Sequence, residues 1–153
     1  MRLVIILTIS LFISACTGTR PSHLGAIQTS IQPCPDSPNC VTSNTELADE
    51  EHYIEAIIVK ATAIKNEQDP SKELIKLISN DPQAEIVIKS PHYIYAEYTS
   101  AVFGFVDDVE LLFDNKLGRF DVRSASRLGY RDFSANRKRI EALRKKYFAT
   151  KTQ

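Results

Sequence analysis

The sequence predicts an α+β fold, with a single antiparallel sheet of about five strands and two helices packed on one face. Three patterns in the 153-residue chain point to it. Residues 108–114 and 119–124 alternate apolar and polar side chains around the turn Asn115-Lys116-Leu117-Gly118, as a hairpin requires. Residues 85–89 and 93–100 are a second such pair around Ser90-Pro91-His92. Residues 69–79 and 133–148 instead repeat their apolar positions with helical spacing. The resulting order is strand, helix, four strands, helix, which favours one sheet with helices segregated to a single side.

Residues 53–60, "YIEAIIVK", are rich in β-branched side chains and fit a first strand. Asp69-Pro70 reads as a helix start, with the carboxylate at the N-cap and proline at the first position. Leu74, Leu77 and Ile78 then share one face, and Asn80-Asp81-Pro82 ends the helix. In the later hairpin, setting Phe113 opposite Phe120 also pairs Leu111 with Val122 and Glu110 with Arg123. Apolar residues then lie on one face and an opposite-charge pair on the other. In the last helix, capped by Asp132 or Ser134, Asn136, Ile140, Leu143 and Tyr147 line one side and basic residues cover much of the rest.

The N-terminus reads as an address. Residues 3–13, "LVIILTISLFI", fall within the roughly 7–15 residues of a signal-peptide core and well short of the about 20 that span a bilayer. The following "ISAC" resembles the lipobox of bacterial lipoproteins. That resemblance implies cleavage of a signal peptide, residues 1–15, before Cys16, whose thiol takes a thioether-linked lipid and whose amine takes a palmitate-type acyl chain. Several acyl chains hold a protein stably on a membrane where one does not. Thr17 is not the aspartate that retains lipoproteins at the inner membrane, so in a Gram-negative cell the destination is the outer membrane, facing the periplasm. Residues 16–33 carry Gly18, Gly25, Pro21 and Pro33 with no clean period and read as a flexible tether. The globular domain is then 34–148, with 149–153 as a tail.

Three cysteines less the lipidated one leave Cys34 and Cys40, in "CPDSPNC". A metal site needs further ligands, and none of the three histidines has ligand-like spacing to the pair. A thioredoxin-type redox motif has two residues between its cysteines, not five. Export into an oxidising compartment makes a disulfide the fitting reading, one that closes a small loop and contributes about 2 kcal/mol.

Net charge is zero, which gives no global signal for nucleic acid. The charge is nonetheless split, with 6 Lys/Arg against 16 Asp/Glu over residues 16–114 and 12 against 3 over residues 115–153. Either the two halves neutralise each other across a sheet, or a basic face looks toward anionic lipid.

Three stretches, "CPDSPNCVTS", "FVDDVELLFD" and "DVRSASRLGYRDFSANRKRIEALR", together resemble domain-of-unknown-function family 1499. The resemblance runs from about residue 34 to 144. It implies bacterial or plastid proteins, often exported or membrane-associated, with no assigned activity.

Functional candidates follow from the residues. No nucleophile elbow, phosphate loop or dinucleotide fingerprint is present, and nothing calls for a cofactor or a metal. The leading reading is a lipid-anchored, non-enzymatic binding or assembly module. Its polar sheet face would use Asp107, Asp108, Glu110, Arg123, Ser126, Arg127 and Tyr130 to take an anionic small ligand or an envelope protein. Alternatively, those arginines neutralise the acids and fix the hairpin. A hydrolase-like or metal-dependent enzyme using the acids near Asp108 is a further reading, although alternation sends Asp107 to the opposite face from Asp108 and Glu110. In a last reading the basic final helix contacts anionic membrane. The disulfide has a direct check: thiol titration of the exported, lipidated protein should find no free thiol until a reductant is added, and two thereafter.

Overall fold

The protein is described by a computed structural model over residues 18–24, 30–44, 49–59 and 69–150. The signal sequence, Cys16, the segment 60–68 and the extreme C-terminus lie outside the described residues. Strands β1 (Cys40–Thr42), β2 (Ile57–Ile58), β3 (Ala84–Lys89), β4 (Tyr93–Thr99), β5 (Val106–Asp114) and β6 (Arg119–Ser126) form one antiparallel sheet with helices α1 (Lys72–Ser79) and α2 (Ala135–Ala149). The strand order is β1-β6-β5-β4-β3, with β2 also on β6. No helix among the described residues is long and apolar enough to cross a membrane.

The central hairpin has the register that alternation predicts: Phe113 faces Phe120, Leu111 faces Val122, and Glu110 faces Arg123. Side chains two apart share a face, so one register decision sorts the whole sheet. Ile94, Ala96, Val109, Leu111, Phe120 and Val122 lie on one side, packed in a single cluster with Leu74 and Ile78 of α1 and Ile140, Leu143 and Tyr147 of α2. The Phe113 and Phe120 rings add a tilted contact at 5.0 Å between centroids.

Four boundaries differ from the sequence expectation, each for a local reason. Of residues 53–59, only Ile57 and Ile58 join the sheet, because the backbone before them is bound to Thr42: Ile54 N–H donates to the Thr42 carbonyl, and Thr42 N–H to that of His52. The sheet has six strands, not about five, because Cys40–Thr42 occupies the same outer edge of β6 as β2. The edge of β6 is thus covered in two instalments. Helix α1 starts at Lys72 because the Asp69 carboxylate accepts from the Ser71 N–H and hydroxyl in a turn that precedes the helix. Helix α2 starts at Ala135 because Phe133 and Ser134 have φ of 54° and 63°, a left-handed conformation that a right-handed helix cannot contain. Asp132, not Ser134, caps it, accepting from the N–H groups of Ser134 and Asn136.

Part of the segment expected to be a tether is packed. Leu24 and Ile31 are buried, and Leu24 covers Tyr93 and Tyr95 on the face of the sheet away from the helices. Cys34 and Cys40 are joined by a disulfide, with Cα atoms 5.6 Å apart. The cross-linked loop is tied to the start of α2 through Asn136. That buried amide donates to the Asn39 carbonyl, to the Ser126 hydroxyl and to Asp132, and accepts from the Ser124 hydroxyl and from Arg139. A buried polar group stripped of its partner costs roughly 1–3 kcal/mol, and Asn136 satisfies several. Asn136→Ala should therefore lower the unfolding free energy by about 3 kcal/mol in urea denaturation; a change within error would mean that the loop and helix are held by something else.

Candidate functional site

The face away from the helices collects most of the candidate residues, and it is closed. Alternation along β4, β5 and β6 brings Tyr93, Tyr95, Glu97, Asp108, Glu110 and Arg123 to this side. Arg127, just past β6, folds back over them. Its Nε lies 3.1 and 3.0 Å from the two Asp108 oxygens, and its Nη2 lies 2.7 Å from Asp108 Oδ1 and 2.5 Å from Glu97 Oε1. The Tyr95 hydroxyl sits among them, 2.7 Å from Asp108 and 2.9 Å from Glu97. Arg20, from the N-terminal segment, closes the cluster with its Nε 2.5 Å from Glu97 Oε1 and its guanidinium 5.7 Å above the Tyr95 ring. A bidentate guanidinium–carboxylate pair is the strongest geometry available to these groups.

The electrostatics follow the geometry. The hydrogen bond to Asp108 raises the Arg127 guanidinium above its ordinary value, and burial only partly opposes it. For Glu97, burial favours the neutral acid, but hydrogen bonds from Arg20, Arg127 and Tyr95 outweigh it and hold the carboxyl below its ordinary 4.5. Burial, joined by the two carboxylates, drives the Tyr95 hydroxyl far up, so it stays a proton donor.

Glu110 and Arg123 form a looser pair deeper on the same face. Tyr93 donates to Glu110 Oε1 at 2.7 Å, while Arg123 Nη1 stands 3.7 Å from Oε2. Glu110 is 1% exposed, and its Oε2 accepts no hydrogen bond. Arg123 also reaches the Pro33 carbonyl at 3.4 Å, and burial lowers its guanidinium below the ordinary value.

Three candidates lie elsewhere. Asp107 is on the helix side, where Arg139 of α2 meets it at 2.5 Å. Ser126 also faces the helices, bonded to Asn136, because alternation from Arg123 turns Ser124 and Ser126 inward. Tyr130 points into solvent beside Arg131, whose guanidinium lies 5.9 Å from the ring. The sequence reading missed Arg20 and Arg139. Arg20 carried no pattern that marked it, whereas Arg139 follows the Asn136 stripe by three residues, one helical turn. Among the described residues, no three His, Cys, Asp or Glu side chains converge as metal ligands.

An open cleft lies at the end of the sheet where β6 gives way to α2. Pro38 and Val41 form one wall, Arg131, Phe133, Ser134 and Arg137 another, around a volume of about 310 Å³. That is at the small end of ligand-sized pockets. Arg137 donates to the carbonyls of Tyr53 and Glu51, and the acids Glu51 and Asp132 line the same cleft as Arg131 and Arg137. His52 fastens the same wall to the cross-linked loop, with Nδ1 2.8 Å from Asp49 and Nε2 3.2 Å from the Ser37 carbonyl.

The closed cluster has a measurable signature. Arg127→Met keeps the side-chain length and removes the charge, leaving buried carboxylates unpaired, at a cost of about 3–5 kcal/mol at pH 7. Because Glu97 is held low in the folded state, its contribution is complete above its unfolded value near 4.5 and is lost as pH falls through the folded value. The variant lacks one of the donors responsible, so the gap between the two proteins in urea denaturation should narrow from pH 7 to pH 4. A gap constant over that range would show that Arg127 stabilises by packing and not by charge.

A model of a protein family of unknown function, DUF1499, matches residues 30–147. No curated protein and no solved structure matches the chain. The match extends from just ahead of the cross-linked loop into the last turn of α2 and takes in the cleft and the strand residues of the closed cluster, though not Arg20 or Leu24, so the chain belongs to the DUF1499 family, whose members carry no assigned activity.

Proposed function

We propose that this is a lipid-anchored protein of the bacterial envelope whose folded domain binds or assembles and does not catalyse. The apolar run 3–13 followed by "ISAC" supports the address, with Cys16 as the acylated residue and the outer membrane as the destination in a Gram-negative cell. The observation that carries the non-catalytic reading is the saturation of Asp107 and Asp108, with Glu110, whose Oε2 accepts no hydrogen bond, only 1% exposed and out of a substrate's reach. A general acid or base needs a proton it can exchange with a substrate. Asp108 is clamped on both oxygens by Arg127 and bonded to Tyr95, and Asp107 is paired with Arg139. The hydrolytic or metal-dependent alternative therefore draws no support from these residues.

The same saturation moves the proposed binding site. Arg127 is committed to carboxylates of its own chain and has no charge left for an anionic ligand. Among the described residues Arg131 and Arg137 make no ion pair, although Glu51 and Asp132 also line the cleft, so the cleft beside Phe133 is a better place than Arg127 for a small anion or for a carboxylate of an envelope protein. Two measurements test this function. Labelled palmitate should enter the wild-type chain and not the Cys16→Ser variant; a wild-type chain that takes no label ends the anchor reading. Native mass spectrometry of protein extracted from its own membranes should find a bound small molecule or partner that Arg131→Ala loses, and a bare wild-type protein ends the binding reading.

A further inference from the structure

Among the described residues, the end of the sheet that holds the cleft also collects most of the exposed large apolar side chains. The β4–β5 loop and the β6–α2 loop both emerge there, since Thr99 pairs with Val106, Asp107 pairs with Ser126, and Arg127 N–H donates to the Val106 carbonyl. On the first loop Val102 is 82% exposed and Phe103 71%, with Phe105 beside Phe103 at 5.9 Å. On the second, Tyr130 is 66% exposed and Phe133 88%, and Leu128 is exposed with them. Isolated apolar residues on a surface are ordinary, but a concentration at one end marks a contact site.

The chain itself says what covers this end. Gly18 lies against the second loop, so closely that a Cβ there would fall 3.1 Å from Leu128 Cγ and 2.9 Å from Arg127 Cβ. Cys16 is two residues further upstream, within about 7 Å of chain reach. Acyl chains on Cys16 would therefore start within that reach of Gly18, which itself lies at the same end as the aromatic loops. The charge at this end is mixed, with a basic excess: Arg131, Arg137 and Lys138 stand with Glu51 and Asp132, and Lys138 is bonded to the Phe133 carbonyl. Aromatic and aliphatic tips with adjacent Lys and Arg are the composition that settles at the headgroup boundary of an anionic bilayer.

We infer that Val102, Phe103, Phe105, Leu128, Tyr130 and Phe133 form a membrane-seating surface, which holds the domain against the bilayer with its cleft at the headgroup level. This rests on the acylation of Cys16 for the anchor, while the seating contact itself depends only on the loops. The domain does not hang free on a tether; the contacts of Gly18 with Leu128 and of Leu24 with Tyr93 and Tyr95 hold the N-terminal segment against it.

The chain contains no tryptophan, so one can be placed at will. Phe103→Trp and Phe133→Trp put a reporter on each loop, and Leu117→Trp puts one in the β5–β6 turn at the opposite end of the sheet. Each full-length protein is extracted from its membranes and reconstituted into phosphatidylethanolamine–phosphatidylglycerol vesicles with brominated acyl chains. Bromine should quench positions 103 and 133 about threefold more than position 117, with blue-shifted emission. Equal quenching at all three positions overturns the inference, and so does a blue shift without quenching, which would mean that a second copy covers this end. Palmitate labelling of the same preparations keeps the two readings apart. Labelled protein with water-exposed positions 103 and 133 retains the anchor and loses the seating. Unlabelled protein quenched at those positions retains the seating and loses the anchor.

Discussion

The guanidinium of Arg127 is the group on which the second face of the sheet depends. It stands just past the end of β6, yet its bonds run to β5 through Asp108 and to β4 through Glu97 and Tyr95. Through Glu97 it also meets Arg20, which brings the N-terminal segment onto the same cluster. Taking such charges out of water costs several kcal/mol per ion and is offset only by near-complete pairing. The cluster meets that condition: Asp108 receives Arg127 on both oxygens, and Glu97 receives two arginines and a tyrosine. Charged residues therefore close this face where apolar ones close the other, with directional bonds that join β4, β5 and the segment after β6.

The same logic accounts for the split of charge along the chain. Acids from its first part, Glu55, Glu97, Asp107, Asp108 and Glu110, meet arginines from its last part, Arg144, Arg127, Arg139 and Arg123. The pairs cross the sheet on both sides. The two halves of the sequence are thus complementary surfaces of one domain, and the basic character of α2 is partly consumed internally. Glu110 and Arg123 are the exception in quality: they are directly opposite in register, as cross-strand alternation requires, yet stand at 3.7 Å without a hydrogen bond. Backbone register places such a pair but does not bring its atoms together.

What could be read from the sequence follows the reach of each signal. Alternation is local and strict, so the β5–β6 register and the inward stripe of Asn136, Ile140, Leu143 and Tyr147 were legible residue by residue. Strand β1 was not, because Cys40-Val41-Thr42 is too short to show a period and owes its pairing to the partner edge. The start of α2 was misplaced by two residues because nothing in "DFS" announces a left-handed pair at Phe133 and Ser134. In the site, the opposition of Glu110 to Arg123 was legible. The enclosure of the whole cluster was not, since it depends on Arg20 and Leu24, single residues in a stretch that no periodicity marks. Ser126 differs, because counting by twos from Arg123 already turns it toward the helices.

The left-handed pair shows how the rigid part of the molecule sets the shape of its open end. A bulky aromatic with φ near 54° carries a strain of about 1–2 kcal/mol, which the surrounding structure must override. The compensation is visible next door: Asp132 caps the helix, Asn136 binds the cross-linked loop and two serines of β6, and Arg139 pins Asp107. Those bonds fix where α2 begins, and the chain arriving from β6 must reverse sharply to meet that point. The reversal turns the Phe133 side chain outward. Its exposure is imposed by a buried polar network and is not left over from incomplete packing. An aromatic that already points outward beside a cleft needs no backbone rearrangement to meet another surface, and the strain held behind it does not depend on what that surface is.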